Sequence, residues 1–112
     1  MKKLILTLVL FAVATNWLLA QTSDHDLVEK TVSYYLDGGT NNDFETLKKA
    51  FHKDATMKFV SPAGYKSVNA LEFFKKAIKP GPAQNRKTRI DYINVSGNTA
   101  SAKLIIEYPT FT

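Results

Sequence analysis

Asp43-Phe44-Glu45-Thr46-Leu47-Lys48-Lys49-Ala50-Phe51-His52-Lys53-Asp54-Ala55-Thr56-Met57-Lys58-Phe59-Val60 is the stretch on which the fold turns. Asp43 reads as a helix N-cap, because its carboxylate can accept from amides that the first helical turn leaves without partners. Phe44, Leu47 and Phe51 then recur on one helical face, while Glu45, Lys48 and Lys49 point to water. From Ala55 the apolar period changes from 3.6 to 2, with Met57 and Phe59 alternating against Thr56 and Lys58. A capped helix, a tight turn and an amphipathic strand in succession form a unit suited to flooring a cup-shaped pocket.

Upstream of this unit, Ser23-Asp24-His25-Asp26 matches a capping box and predicts a helix start. Val28, Val32 and Tyr35, with Leu36 beside them, give that helix one apolar stripe, and Gly38-Gly39 are expected to end it through a left-handed cap. Asn41 and Asn42 belong to the following turn. Downstream, Pro62-Ala63-Gly64 turns the chain into a second short strand from Tyr65. Asn69 and Glu72 open a third helix with Leu71, Phe74 and Ile78 on its buried stripe and Phe73 and Ala77 widening it, until Pro80-Gly81-Pro82 stops it. Arg89 to Val95 and Thr99 to Tyr108 form an antiparallel hairpin around Ser96-Gly97-Asn98. Ile90 and Tyr92 share one face of the first strand. Ala100, Ala102, Leu104, Ile106 and Tyr108 share one face of the second, small at one end and large at the other, as a curved sheet wrapping a helix requires. The class is α+β, with helices packed on a curved antiparallel sheet.

The first twenty residues stand apart. Lys2 and Lys3 precede an apolar run from Leu4 to Ala14, followed by Trp17-Leu18-Leu19-Ala20, the layout of a signal peptide. Thr15 and Asn16 interrupt the run before it reaches the roughly 20 residues that a membrane span needs. Residues 1–20 are therefore expected to be cleaved, leaving one domain over 21–112 that begins at Gln21 and has no membrane segment. The two lysines that leave with the leader take the net charge from +5 to +3. Lys48/Lys49 and Lys75/Lys76 sit beside apolar helix positions as solvated faces do, with no basic stripe interleaved with stacking aromatics, so no nucleic-acid partner is expected. A domain this small buries only about 60 to 65% of its unfolded surface, and a ligand or a second copy would add to a thin core. The chain has no cysteine. An exported domain whose core is built by packing alone suits a bacterial periplasm or the cell exterior.

The Asn-Asn-Asp turn at 41–43, the Phe44…Leu47…Phe51 helix, Asp54-Ala55-Thr56, Pro62-Ala63-Gly64 and the Asn69-to-Ile78 helix occur in an order and at separations that resemble the nuclear transport factor 2-like and SnoaL-like superfamily over roughly residues 24–108. Within it the chain looks most like the small secreted bacterial proteins grouped as putative lumazine-binding. The resemblance implies a cone-shaped, cystatin-like fold, a homodimer formed through the sheet, and a pocket between helices and sheet for a small apolar or heteroaromatic ligand. The superfamily completes its sheet with further long strands after such a hairpin. The resemblance thus implies a sequence that stops short of them and leaves an edge that favours self-association.

Core aromatics that face the hollow become ligand walls, and Tyr35, Phe51, Met57, Phe59, Phe74, Tyr92 and Tyr108 are the pocket candidates. The rival reading is an enzyme of the ketosteroid isomerase or dehydratase kind. By its distance from Asp43, Tyr35 aligns with the tyrosine that donates to the oxyanion in the isomerase, but the position of the carboxylate base falls on Phe59, which cannot abstract a proton. His25 and His52 suit wet positions better than general bases, and Asp54 suits a turn cap. Asp91 and Glu107 suit cross-strand pairing with Lys or Arg. Two distant histidines and no cysteine do not make a metal site, and no cofactor is expected. A third reading is a non-catalytic adaptor that uses the sheet only to associate. The expectation is therefore a periplasmic or secreted binding module without turnover.

Overall fold

The computed structural model describes residues 24–109. The expected leader over 1–20 and the Ser23 hydroxyl of the capping box lie outside them. Helix α1 covers 24–40 within the described residues and does not end at its glycines. Gly38 and Gly39 are helical and buried, and the left-handed residue is Asn42, at φ 52°. The expected type of cap is present, with Asn42 rather than a glycine in the strained position: the Asp43 amide donates to the Gly38 carbonyl at 2.8 Å and the Asn42 amide to the Gly39 carbonyl at 3.3 Å, the two bonds of a Schellman motif. Asparagine tolerates that conformation better than most side chains. The glycines serve close approach instead. A Cβ on Gly38 would stand 2.7 Å from the Leu47 Cα and closer still to the Leu47 amide nitrogen, and one on Gly39 would strike the Arg86 guanidinium.

Helix α2, Phe44–Lys48, starts where Asp43 accepts from the Thr46 amide at 3.2 Å and from the Thr46 hydroxyl at 2.6 Å. Its expected continuation to Phe51 tightens into three-residue turns, with the amides of Lys49, Ala50 and Phe51 donating to the carbonyls of Thr46, Leu47 and Lys48. Leu47 is fully buried against α1. The switch to extended chain then follows in strand β1, Thr56–Ser61, which pairs antiparallel with β2, Gly64–Asn69. Met57 and Phe59 alternate inward against exposed Thr56, Lys58 and Val60. Asn69 caps α3, Ala70–Ala77, by accepting from the Glu72 amide at 3.0 Å, and its side-chain amide donates to the Lys53 carbonyl at 2.8 Å. One residue thereby ties the end of β2 to the turn that precedes β1.

Strands β3, Lys87–Ser96, and β4, Thr99–Glu107, form the second antiparallel ribbon around a two-residue turn in which Gly97 takes a φ of 60°. A bulge at Asp91 interrupts the register: Ile90 opposes Leu104, whereas Tyr92 opposes Lys103. An extra residue in one strand inverts its alternation. Ile93 and Val95 consequently inherit the inner face from Ile90, and Tyr92, expected beside Ile90, is 52% exposed. The described strands pair as two ribbons rather than as one continuous sheet. The α+β class, with antiparallel pairing throughout, is as expected.

Candidate functional site

Tyr35 from α1, Phe51 from the end of α2 and Phe74 from α3 meet as a triangle of rings with every pair of centroids 5.6 Å apart. Tyr35 stands edge-on to Phe51 at 86° and to Phe74 at 68°, while Phe51 and Phe74 lie nearly parallel at 29°. These are the offset and edge-to-face arrangements that the ring quadrupoles favour. A cavity of about 300 Å³ opens beside the triangle. Thr31 and Val32 of α1, Ala50, Thr56 and Met57 of the floor unit, and Leu104 of β4 complete its wall. The cavity therefore lies where all three helices and both ribbons converge. Its lining is largely apolar and, among the described residues, carries no carboxylate, imidazole or ammonium group.

Of the expected pocket residues, the structure brings Tyr35, Phe51, Met57 and Phe74 together on this wall. Phe59 packs instead on Phe73 at 5.5 Å, which in turn stands edge-on to Phe74 at 5.2 Å, so Phe59 backs the wall at one remove. Tyr92 faces outward because of the bulge. Tyr108 lies just past β4 and lines a second, smaller cavity of about 220 Å³. Tyr35 and Phe74 line both cavities.

Arg86 and Gln84, which no local pattern singled out, organise the rim of that second cavity. The last carbonyls of a helix lack intrahelical partners. Here Gly39 O accepts from Gln84 Nε2 at 2.7 Å as well as from the Asn42 amide, Thr40 O accepts from the Gln84 amide at 2.7 Å, and, just inside those last carbonyls, Leu36 O accepts from Arg86 Nη2 at 3.1 Å. Arg86 Nε also donates to Thr40 Oγ1 at 2.8 Å and Nη1 to the Tyr108 hydroxyl at 3.1 Å. The guanidinium sits at the negative end of the α1 dipole, where a cation is favoured. Burial pushes the Tyr35 phenol up in pKa, opposed by the nearby Arg86 charge and reinforced by Tyr108. Tyr35 is thus a neutral hydrogen-bond donor on the cavity wall at physiological pH.

The other ionisable candidates stand elsewhere. His52 and Asp54 are exposed, as expected of His52, but the cap differs from expectation: the His52 Nδ1 accepts from the Asp54 amide at 3.0 Å, so the imidazole rather than the Asp54 carboxylate caps the turn. Asp91, at the bulge, is held by Arg89 at 3.1 Å and across the ribbon by Lys103 at 3.8 Å. Among the described residues, His25, Asp26 and Glu29 are the one group of such side chains close enough to share an ion, and all three are exposed on the first turns of α1.

The arrangement is that of an NTF2-like domain. A crystal structure of an NTF2-like protein of unknown function from Shewanella baltica OS155 superposes with a TM-score of 0.69 at 21% identity, covering 78% of this chain and 72% of that one, a likeness of fold. The family model described as "Putative lumazine-binding" matches residues 23–112, and the chain belongs to that family. No curated protein matches it.

Proposed function

We propose that the protein is an exported carrier or sensor that holds a small flat heteroaromatic or apolar molecule in the cavity beside Tyr35, Phe51 and Phe74 and does not transform it. The ring triangle carries this reading. Three aromatic rings bordering a largely apolar hollow offer stacking and dispersion to a planar guest, with the Tyr35 hydroxyl as a polar handle that fixes orientation. The family's description supports a heteroaromatic guest of the lumazine type. An isomerase or dehydratase needs an acid and a base facing the same substrate. Among the described wall residues of this cavity, Tyr35 is the one titratable group, and its raised pKa makes it a poor base. Export rests on the Lys2-Lys3 and Leu4–Ala14 pattern, and a homodimer formed through the β-ribbons would complement the thin core.

Native mass spectrometry of the mature protein purified from its own host tests the reading. A co-purifying organic mass, released on denaturation, is the expected result. The same spectra report the dimer and a mature chain beginning at Gln21. Protein that arrives empty and shows no quenching or heat on titration with lumazine would overturn it.

A further inference from the structure

The second cavity has a different chemical character from the first. Leu47, Phe74, Ile78 and Ile106 give it an apolar floor, whereas Arg86 and Tyr108 stand on its rim. Arg86 is the one charged side chain among the described residues that line either of these two cavities. Its described partners are all neutral oxygens: a carbonyl, a threonine hydroxyl and a phenol. The ion pairs among the described residues do not include it. Glu107 and Lys87 border the outer side of Arg86, but they are cross-strand partners of opposite charge, so the local surplus is the guanidinium's.

A guanidinium has five N–H donors in a fixed fork. Three are committed to Thr40, Tyr108 and Leu36, which leaves one on each terminal nitrogen. The fork is held in place on the Gly39 side by backbone that no Cβ displaces, and the Tyr108 ring lies under it at 5.9 Å. A half-buried, pre-oriented cation with no carboxylate partner among the described residues is suited to an anion that arrives from outside, since desolvation strengthens a charge-assisted hydrogen bond. Tyr35 and Phe74 line both cavities, with their ring centroids 5.6 Å apart.

We infer that the second cavity is the anion-recognising end of the same site, and that the guest is a flat aromatic acid whose rings meet Phe51 and Phe74 while its carboxylate meets Arg86. The inference rests on the small-molecule reading above and narrows it to one ligand class. The Arg86 charge is near enough to oppose the burial that raises the Tyr35 phenol pKa, which agrees with this polarity.

Calorimetric titration of the full mature protein with 2-naphthoate and with 2-naphthamide, its neutral near-isostere, provides the test. The expected result is binding of the acid about tenfold tighter or more, worth about 1.4 kcal/mol. Arg86→Met should bring the ratio to about one, and Arg86→Lys, which keeps the charge without the fork, should leave an intermediate ratio. Should Arg86→Met not fold, the wild-type ratio together with Arg86→Lys still decides. Equal affinity of the two probes on the wild type overturns the anion inference and leaves the cavity reading standing. An acid preference that survives Arg86→Met places the carboxylate elsewhere and also overturns it. Failure of both probes to bind a protein that binds lumazine overturns the inference alone, whereas failure of lumazine as well, on protein that arrives empty, overturns the reading beneath it.

Discussion

The floor unit at 43–60 and the strap at 82–86 are both stitched by hydrogen bonds, but the bonds differ in reach. In the floor unit Asp43 holds Thr46, three residues away, and His52 holds Asp54, two away. In the strap Asn42 donates to the Pro82 carbonyl at 2.7 Å across 40 residues, while Gln84 reaches back 45 residues and Arg86 reaches 46 and 50. A local bond closes a short loop at little entropic cost, whereas each long-range bond fixes chain that is otherwise free. The floor should therefore lose its caps piecemeal, and the strap should fail as one unit, because three of its bonds share one side chain.

Leu47→Ala probes the place where the floor meets α1 and should have the largest effect. Leu47 is the largest fully buried side chain among the described residues, and truncating such a residue typically costs about 3 kcal/mol. A urea titration followed by circular dichroism should show the midpoint fall with little change in slope. Gly38→Ala approaches the same contact from the other side. A methyl there meets the backbone of Leu47, which cannot rotate aside, so overpacking of about 3 kcal/mol, offset by about 1 kcal/mol of gained helix propensity, leaves a loss of about 2 kcal/mol. A Gly38→Ala protein as stable as the wild type would mean that the two helices do not touch there.

The strap comes next. Arg86→Met removes three hydrogen bonds at once and takes a cation from the negative end of α1. The packing of the methylene stem is largely kept by methionine, so the change reads mainly the polar head. A loss of about 1 to 2 kcal/mol is expected. Hydrogen exchange would sharpen the contrast with the floor, since protection should fall for the last turn of α1 and for 84–86 together while the amides of α2 keep theirs.

Reach also explains what was legible in the sequence. As N-caps Asp43 and Asn69 act on amides three residues away, and Gly97 acts through its own backbone conformation, so the N-caps of α2 and α3 and the tip of the β3–β4 hairpin could be read from residue type and spacing. Tyr35, Phe51, Met57 and Phe74 were legible as inward-facing positions because each sits on a regular apolar period. Gly38 and Gly39 looked like a cap because glycine is the usual left-handed residue, yet their role depends on Leu47 and Arg86, which sequence distance hides. Tyr92 was misplaced for a related reason. Strict alternation holds only until an extra residue enters the strand, and Asp91 carries no bulge signature such as glycine. Arg86 follows a proline-rich stop and precedes a strand, with no periodic neighbour to mark it. Its significance exists only once α1 lies beside it.

The finest test of the floor uses pH. Hydrogen bonds from the Thr46 hydroxyl, and then from the Thr46 amide, hold the Asp43 carboxyl below its ordinary value of 3.8. A carboxylate whose folded pKa is depressed binds its proton more readily in the unfolded chain, so its contribution to stability is present above the unfolded value and is lost as pH falls through the folded one. The Asp43→Asn variant would keep an acceptor for the Thr46 amide, since asparagine caps about as well as aspartate, but its cap cannot titrate. Wild type and Asp43→Asn should therefore run parallel in urea midpoint above about pH 5 and converge as the pH falls below the ordinary carboxylate range. The difference should be small, because Asp43 is exposed and its partners are local. Curves that stay parallel down to about pH 2, below the range in which carboxylates ordinarily titrate, would show that the Thr46 bonds do not distinguish the charged acid from the neutral one, and the floor's N-cap would then act by geometry alone.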